Sequence, residues 1–168
     1  MSSYAWKTDR VRSAINGTNP TILARLSAGF AAIGDVQFLP GYCVLLTDRP
    51  GAERLSDLER YARLSFLDDM DLLGEAIEQA CKKLDPGFRR VNLEILGNTH
   101  GFLHAHAWPR YEWEPDDVRQ LPVWLYPPEN WSEPEFSLSP QHDQLRRELS
   151  ETIAELDALR NNGSRPFA

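Results

Sequence analysis

Cysteine, net positive charge and long apolar runs are all scarce in this chain, and each scarcity removes a class of explanation. Only Cys43 and Cys81 occur in 168 residues. They lie far apart in apolar surroundings, which predicts buried thiols in a reducing compartment and no disulfide framework. The formal net charge is -7, so no global basic surface exists for a nucleic acid backbone, although a small anionic ligand needs only local positive groups. No apolar run approaches membrane-spanning length, and the segment Met-Ser-Ser-Tyr-Ala-Trp-Lys lacks an apolar signal core. The expectation is a cytoplasmic protein that contacts neither membrane nor nucleic acid. Histidine is scarce too, with four in the chain, yet His100, His104 and His106 fall in one short stretch.

That stretch is Leu96-Gly-Asn-Thr-His-Gly-Phe-Leu-His-Ala-His-Ala-Trp-Pro-Arg110. Read as a strand from Gly101 to Trp108, stopped by Pro109-Arg110, it sends alternate side chains to opposite faces. Phe102, His104, His106 and Trp108 share one face. Leu103, Ala105 and Ala107 share the other, which is small and apolar and fit to lie under a helix. Imidazole titrates near neutral pH and serves as nucleophile, acid/base group or metal ligand. Two histidines side by side are therefore either a hydrogen-bonded structural pair or a site.

The chain fits a single domain, 1–168, with one continuous core. A short helix is predicted from Asp9 to Ile15, ended by Asn16-Gly17 and Asn19-Pro20. Thr21 to Leu26 reads as a second short helix after Pro20. Phe30–Ile33 and Val36–Leu39 read as two strands about a tight turn at Gly34-Asp35, with another strand over Tyr42–Thr47. Leu55, Leu58, Tyr61 and Ala62 predict one helix, with Ser56 as its cap. Apolar residues from Phe66 to Leu84 recur at helical spacing and predict a second, Ser65 to Leu84, in which Gly74 permits close packing. Asp85-Pro-Gly87 stops it, and Phe88 to Leu96 is then a strand. The segments Tyr111–Pro115 and Val123–Pro128 are rich in aromatics and proline, poor material for central strands. There Trp113, Trp124, Tyr126 and Trp131 are either packing anchors of a long loop or rings that stack on a planar ligand such as a nucleobase. Leu145, Leu149, Ile153, Leu156 and Leu159 define an amphipathic helix within Pro140–Arg160, and Asn161 to Ala168 reads as a frayed tail.

Asn98 to Arg110 resembles the signature of the histidine triad (HIT) superfamily, in which alternating histidines lie on a strand ending in Pro-Arg. Alignment on Pro109-Arg110 places His104 at the family's central, nucleophilic histidine and His106 at the third, with Phe102 at the first. A shifted alignment makes His104 the first and His106 the nucleophile, with Trp108 third. Val36-Gln-Phe-Leu-Pro-Gly-Tyr-Cys-Val-Leu-Leu46 resembles the family's upstream strand-turn-strand, where Pro-Gly-His is common and Tyr42 here replaces that histidine. The resemblance covers roughly residues 21–111 and leaves an extension over 112–168. It implies an α+β fold, a HIT-like antiparallel sheet with flanking helices and an added C-terminal helix, commonly paired into a homodimer.

The resemblance further implies a nucleotide hydrolase of the diadenosine tetraphosphate hydrolase type. Such an enzyme cleaves dinucleoside polyphosphates or related phosphoesters through a nucleotidyl-histidine. His104 and His106 are then the catalytic residues, and Asn92, Asn98, Tyr42 and Arg110 candidates for substrate binding. Neither metal nor cofactor is required. Phe102 and Tyr42 depart from the family pattern and leave two other outcomes open: a nucleotide-binding protein without catalysis, or a nucleotidyltransferase with another acceptor. From the residues alone, His100, His104 and His106 are also a possible metal-binding cluster.

Overall fold

The alternation about the histidines does form a strand, buried along its whole length, and the sheet is built outward from it. In the computed structural model, which describes residues 5–163, the strands are β1 (Ile22–Arg25), β2 (Gly29–Ile33), β3 (Cys43–Thr47), β4 (Phe88–Glu94) and β5 (His104–Tyr111). They form one antiparallel sheet in the order β1-β2-β3-β5-β4. The helices are α1 (Arg10–Ile15), α2 (Arg60–Leu84), α3 (Asp116–Arg119), α4 (Glu129–Ser132) and α5 (Asp143–Asn161).

β5 begins later than the sequence pattern suggests and runs on through Pro109 and Arg110. Proline is tolerated there because β3 stops pairing at Cys43↔Ala107, so beyond that point β5 has only β4 beside it, with Val91 opposite Pro109. One face of the sheet offers Ala31, Ile33, Cys43, Leu45, Ala105 and Ala107, packed against Phe66, Leu72, Leu73 and Ile77 of α2 and Leu149 and Ile153 of α5. Ala105 and Ala107, with Leu103 in the same core, are the small apolar residues foreseen for a helix-covered face. Gly74 supplies a close approach: a Cβ there would stand 3.3 Å from both methyls of Leu93 on β4. Cys43 and Cys81 are free and buried, and burial pushes both thiols up, Cys81 to about 11.

Four local expectations are corrected. Thr21–Leu26 is not helical but contains β1. The Asn19 side chain accepts from the Thr21 N–H at 3.0 Å and from its hydroxyl at 2.7 Å, which turns the chain out into pairing with β2. Val36–Leu39 is not a strand. β2 pairs directly with β3, and the intervening loop is tied by the Gln37 side chain to Gly34, Tyr42 and Gly41. The predicted helix at Leu55–Ala62 shrinks to a single 3-10 turn, Leu55–Asp57, not capped by Ser56. Asp57 instead accepts from the Glu53 and Arg54 amides. Its remainder joins the next helix, because nothing in Ala62-Arg63-Leu64 breaks α2. The strand predicted over Phe88–Leu96 ends at Glu94. The end of the expected tail, residues 164–168, lies outside the described residues.

The proline-rich stretch after β5 folds back over the sheet as short helical turns. Arg110 anchors it. Its Nε meets both carboxylate oxygens of Glu114 at 3.0 Å, and its Nη2 donates to the Arg119 carbonyl at 2.7 Å and to the Tyr126 hydroxyl at 2.6 Å. Phe38, Tyr42, Trp108, Val123 and Tyr126 fill a second core there, with Trp131 packed against it. Among the described residues no helix is long and apolar enough to cross a membrane.

Candidate active site

The sheet face turned away from α2 carries the histidines. Antiparallel register sets Leu46 of β3 beside His104 and Val44 beside His106. The rings of His104 and His106 stand 4.8 Å apart, nearly perpendicular. Two cavities flank them, of about 140 Å³ and 330 Å³, and both are lined by His104, His106, Tyr42, His100 and Trp131.

The two imidazoles are held in opposite chemical states. His104 Nδ1 lies 2.7 Å from the Phe102 carbonyl oxygen. A carbonyl only accepts, so Nδ1 carries the proton and Nε2 keeps its lone pair. His106 Nδ1 lies 2.8 Å from the Tyr42 hydroxyl. The phenol stays protonated in its buried slot, and among the described residues His106 Nδ1 is the acceptor its hydroxyl reaches, so it donates this bond. His106 therefore carries its proton on Nε2. One ring offers a nucleophilic lone pair and its neighbour an N–H.

Tyr42 is fixed in place to do this. Its ring stacks on Trp108 at 3.5 Å with an interplanar angle of 5°. On its other side stands Gly34, where a Cβ would fall 2.1 Å from the ring. Gly41, at φ +98°, makes the turn that delivers Tyr42 to this slot.

Burial holds both histidines neutral. It lowers His104 despite the opposing bond to Phe102, and it pushes His106 down to about 3, helped by the neighbouring His104 and His100. In the unfolded chain both regain an ordinary pKa near 6.5. The unfolded state then binds more protons below that value, so stability falls as pH drops from about 6.5 toward 3. The slope reaches at most about 1.4 kcal/mol per pH unit for each group. Denaturant titrations between pH 7 and pH 4 check this. The His106→Gln variant should show a flatter dependence, and an equal slope in the variant would contradict it.

The other foreseen residues are distributed unevenly. Asn98 lines the larger cavity together with Leu96 and Thr99, from the loop between β4 and β5. His100 belongs to that loop and not to the strand, yet its ring stacks on Phe102 and faces His104 edge-on at 6.0 Å. Asn92 sits on β4 opposite Trp108 and lines neither cavity. Arg110, foreseen as a substrate contact, is 4 % exposed and spends its guanidinium on Glu114, Arg119 and Tyr126. Its partner Glu114 lies four residues on, and only the fold-back after β5 buries the two together. Of the aromatic residues, Tyr126 is a packing anchor and Trp113 stacks on Tyr111. Trp124 and Trp131 reach the larger cavity. The sequence reading missed Arg10 and Asp35, paired at 2.6 Å on the rim of the smaller cavity. Asp35 reads as a turn residue, and only the fold sets it beside α1. Among the described residues no group of three His, Cys, Asp or Glu is arranged to hold a metal ion.

No family model and no curated relative matches the chain. Solved structures do. A histidine triad protein from Marinobacter aquaeolei is 19 % identical with a TM-score of 0.62, covering 80 % of this chain and 89 % of its own. One from Bradyrhizobium japonicum is 16 % identical with a TM-score of 0.63, covering 81 % and 89 %. A hypothetical histidine triad nucleotide-binding protein from Sulfolobus tokodaii is 16 % identical with a TM-score of 0.66, covering 95 % and 99 %. The chain has the fold of the histidine triad proteins. That likeness reaches beyond residues 21–111, so the region after β5 is not wholly foreign to the fold.

Proposed function

We propose that the chain is a nucleotide hydrolase that cleaves dinucleoside polyphosphates through a nucleotidyl intermediate on His104. The observation that carries the proposal is the complementary pair: His104 with its Nε2 lone pair free, and His106 with an Nε2–H, side by side in a cleft. The solved relatives add the fold, and the Sulfolobus protein's description as nucleotide-binding agrees with the ligand class.

In the first step His104 Nε2 forms a bond to phosphorus and the bond from phosphorus to the leaving oxygen breaks. The positive charge gained by the ring is stabilised by the Phe102 carbonyl on Nδ1–H. His106 donates a hydrogen bond to the phosphoryl or leaving oxygen. It keeps its proton, so the leaving group departs as an anion, which suits the acidic phosphate end of a phosphoanhydride. In the second step water attacks phosphorus, the phosphorus–nitrogen bond breaks, His104 returns neutral and the water proton passes to solvent. Asn98, on the wall of the larger cavity, is the candidate donor to phosphate or ribose. The protein is expected to act as a homodimer in the cytoplasm.

Turnover of a dinucleoside polyphosphate panel, with and without chelator, tests the proposal. Product formation insensitive to chelator supports it. Binding without turnover would instead favour a nucleotide-binding protein, a reading to which Phe102 at the first triad position lends weight. Tyr42→Phe gives a finer check. Removing the hydroxyl frees His106 to change tautomer, and kcat should fall about ten- to a hundredfold, as when the outer hydrogen-bond partner of a functional histidine is lost. Stability should fall by only about 1 kcal/mol.

A further inference from the structure

The cleft is divided, and the two parts differ. The smaller cavity lies over β2 and β3 and is lined by Ala32, Val44 and Leu46; Trp131 borders both cavities, and Trp124 lines the larger but not the smaller. The histidine pair belongs to both. Trp124 and Trp131 lie nearly parallel, 8° and 5.3 Å apart. The Trp124 indole N–H donates to Glu94 of β4 at 2.9 Å, and Trp131 packs edge-on against Phe38 and Trp108. The wall is thus held by the sheet and is ordered before any ligand arrives, which lowers the entropic cost of stacking on it. Trp124 remains 39 % exposed, so its ring is open to a ligand.

Trp124 also touches the chemistry. It meets His106 edge-on at 4.8 Å. In an in-line displacement the departing group extends away from the attacking nitrogen, toward the side served by the N–H donor. That donor is His106, which borders both cavities but meets Trp124 edge-on, so the departing group is assigned to the larger cavity. Among the described residues no Lys or Arg lines that cavity, so it selects by aromatic contact and not by charge.

We infer that the departing arm of this two-armed substrate is recognised as a planar ring, stacked on Trp124 beside Trp131 in the larger cavity. This rests on the function proposed above and specifies what that reading leaves open: the leaving group is recognised as a ring. The retained nucleotidyl arm takes the smaller cavity. Trp124 is a specificity determinant for the departing arm and has no part in bond-making.

Calorimetric binding of two probes tests this on the full chain. The probes are adenosine monophosphate and a diadenosine polyphosphate with methylene bridges that resist cleavage. The parent should bind the two-armed probe at least about tenfold more tightly, the scale of one base stacked on an aromatic side chain. Trp124→Ala should lose that advantage and bind the monophosphate as the parent does. Trp124→Phe, which keeps a stacking face, should retain most of it. Equal affinity of both probes for the parent, or an advantage that survives in Trp124→Ala, would overturn the inference while leaving the proposed function standing. No binding of either probe by the parent would overturn both. Circular dichroism melts of the variants separate a lost contact from a lost fold.

Discussion

His104→Ala is expected to abolish turnover, lowering kcat at least about a thousandfold while the fold persists, because it removes the Nε2 lone pair that the Phe102 carbonyl leaves free to bond phosphorus. His106 stands 4.8 Å away but is differently committed. Its Nδ1 is held by Tyr42, and its Nε2 carries the proton. It can orient an oxygen and cannot attack phosphorus without first exchanging tautomers. His106→Ala should therefore be the milder lesion, slowing the reaction yet still allowing the enzyme to be labelled. Steady-state rates of the two variants check the order. A His104→Ala enzyme with near-parental kcat would remove the nucleophile from the account, and the shifted alignment, with His106 attacking, would then gain support. The truncation leaves only a small gap on a sheet face that already borders a cavity, so the stability cost should be modest and readily measured by thermal melting.

Arg110→Met is expected to be the most damaging substitution for stability, by about 3–5 kcal/mol, because it leaves the Glu114 carboxylate charged, buried and without its partner. The pair is 5 % and 1 % exposed at its side chains, so water cannot replace the lost guanidinium. For a chain of this size the melting temperature should drop by roughly 10 °C. Arg110→Lys should not rescue it, since an ammonium cannot reach Glu114, the Arg119 carbonyl and Tyr126 together. The double variant Arg110→Met with Glu114→Leu should recover much of the loss, because neither charge then remains to be desolvated. A single variant as stable as the parent would mean that the buried pair contributes nothing net. The same anchor holds the segment carrying Trp124, so damage at Arg110 should also weaken binding of a two-armed ligand without touching a histidine.

What could be read from the chain follows the range of the forces involved. The two-residue alternation at Leu103–Trp108 and the apolar stripe from Phe66 to Leu84 are local patterns, and both fold as they read. The pattern of histidines with Pro109-Arg110 was specific enough to identify the fold. Short segments fared worse. Thr21–Leu26 is too brief for its own propensity to decide, and pairing with β2 decided it. Val36–Leu39 has a strand's composition but is captured by the amide of Gln37. In the site, the face shared by His104 and His106 was legible because it depends only on the pleat. The partners of Tyr42, the tautomers and the matching of Arg110 by Glu114 were not. Apart from the bond of His104 to Phe102 two residues back, each depends on residues brought together by the turn at Gly41 or by the fold-back after β5. Trp124 and Trp131 were visible as aromatic residues with two possible fates, and only the register of the extension over β5 separates them from Tyr126.

The most direct measurement is mass spectrometry of the protein quenched in alkaline denaturant during turnover of a dinucleoside polyphosphate, with the modified peptide mapped at alkaline pH. The account predicts a nucleotidyl adduct that is labile in acid, resides on His104 and is absent from His104→Ala. Turnover by the parent with no adduct at any quench time, or an adduct mapped to His106, would contradict it.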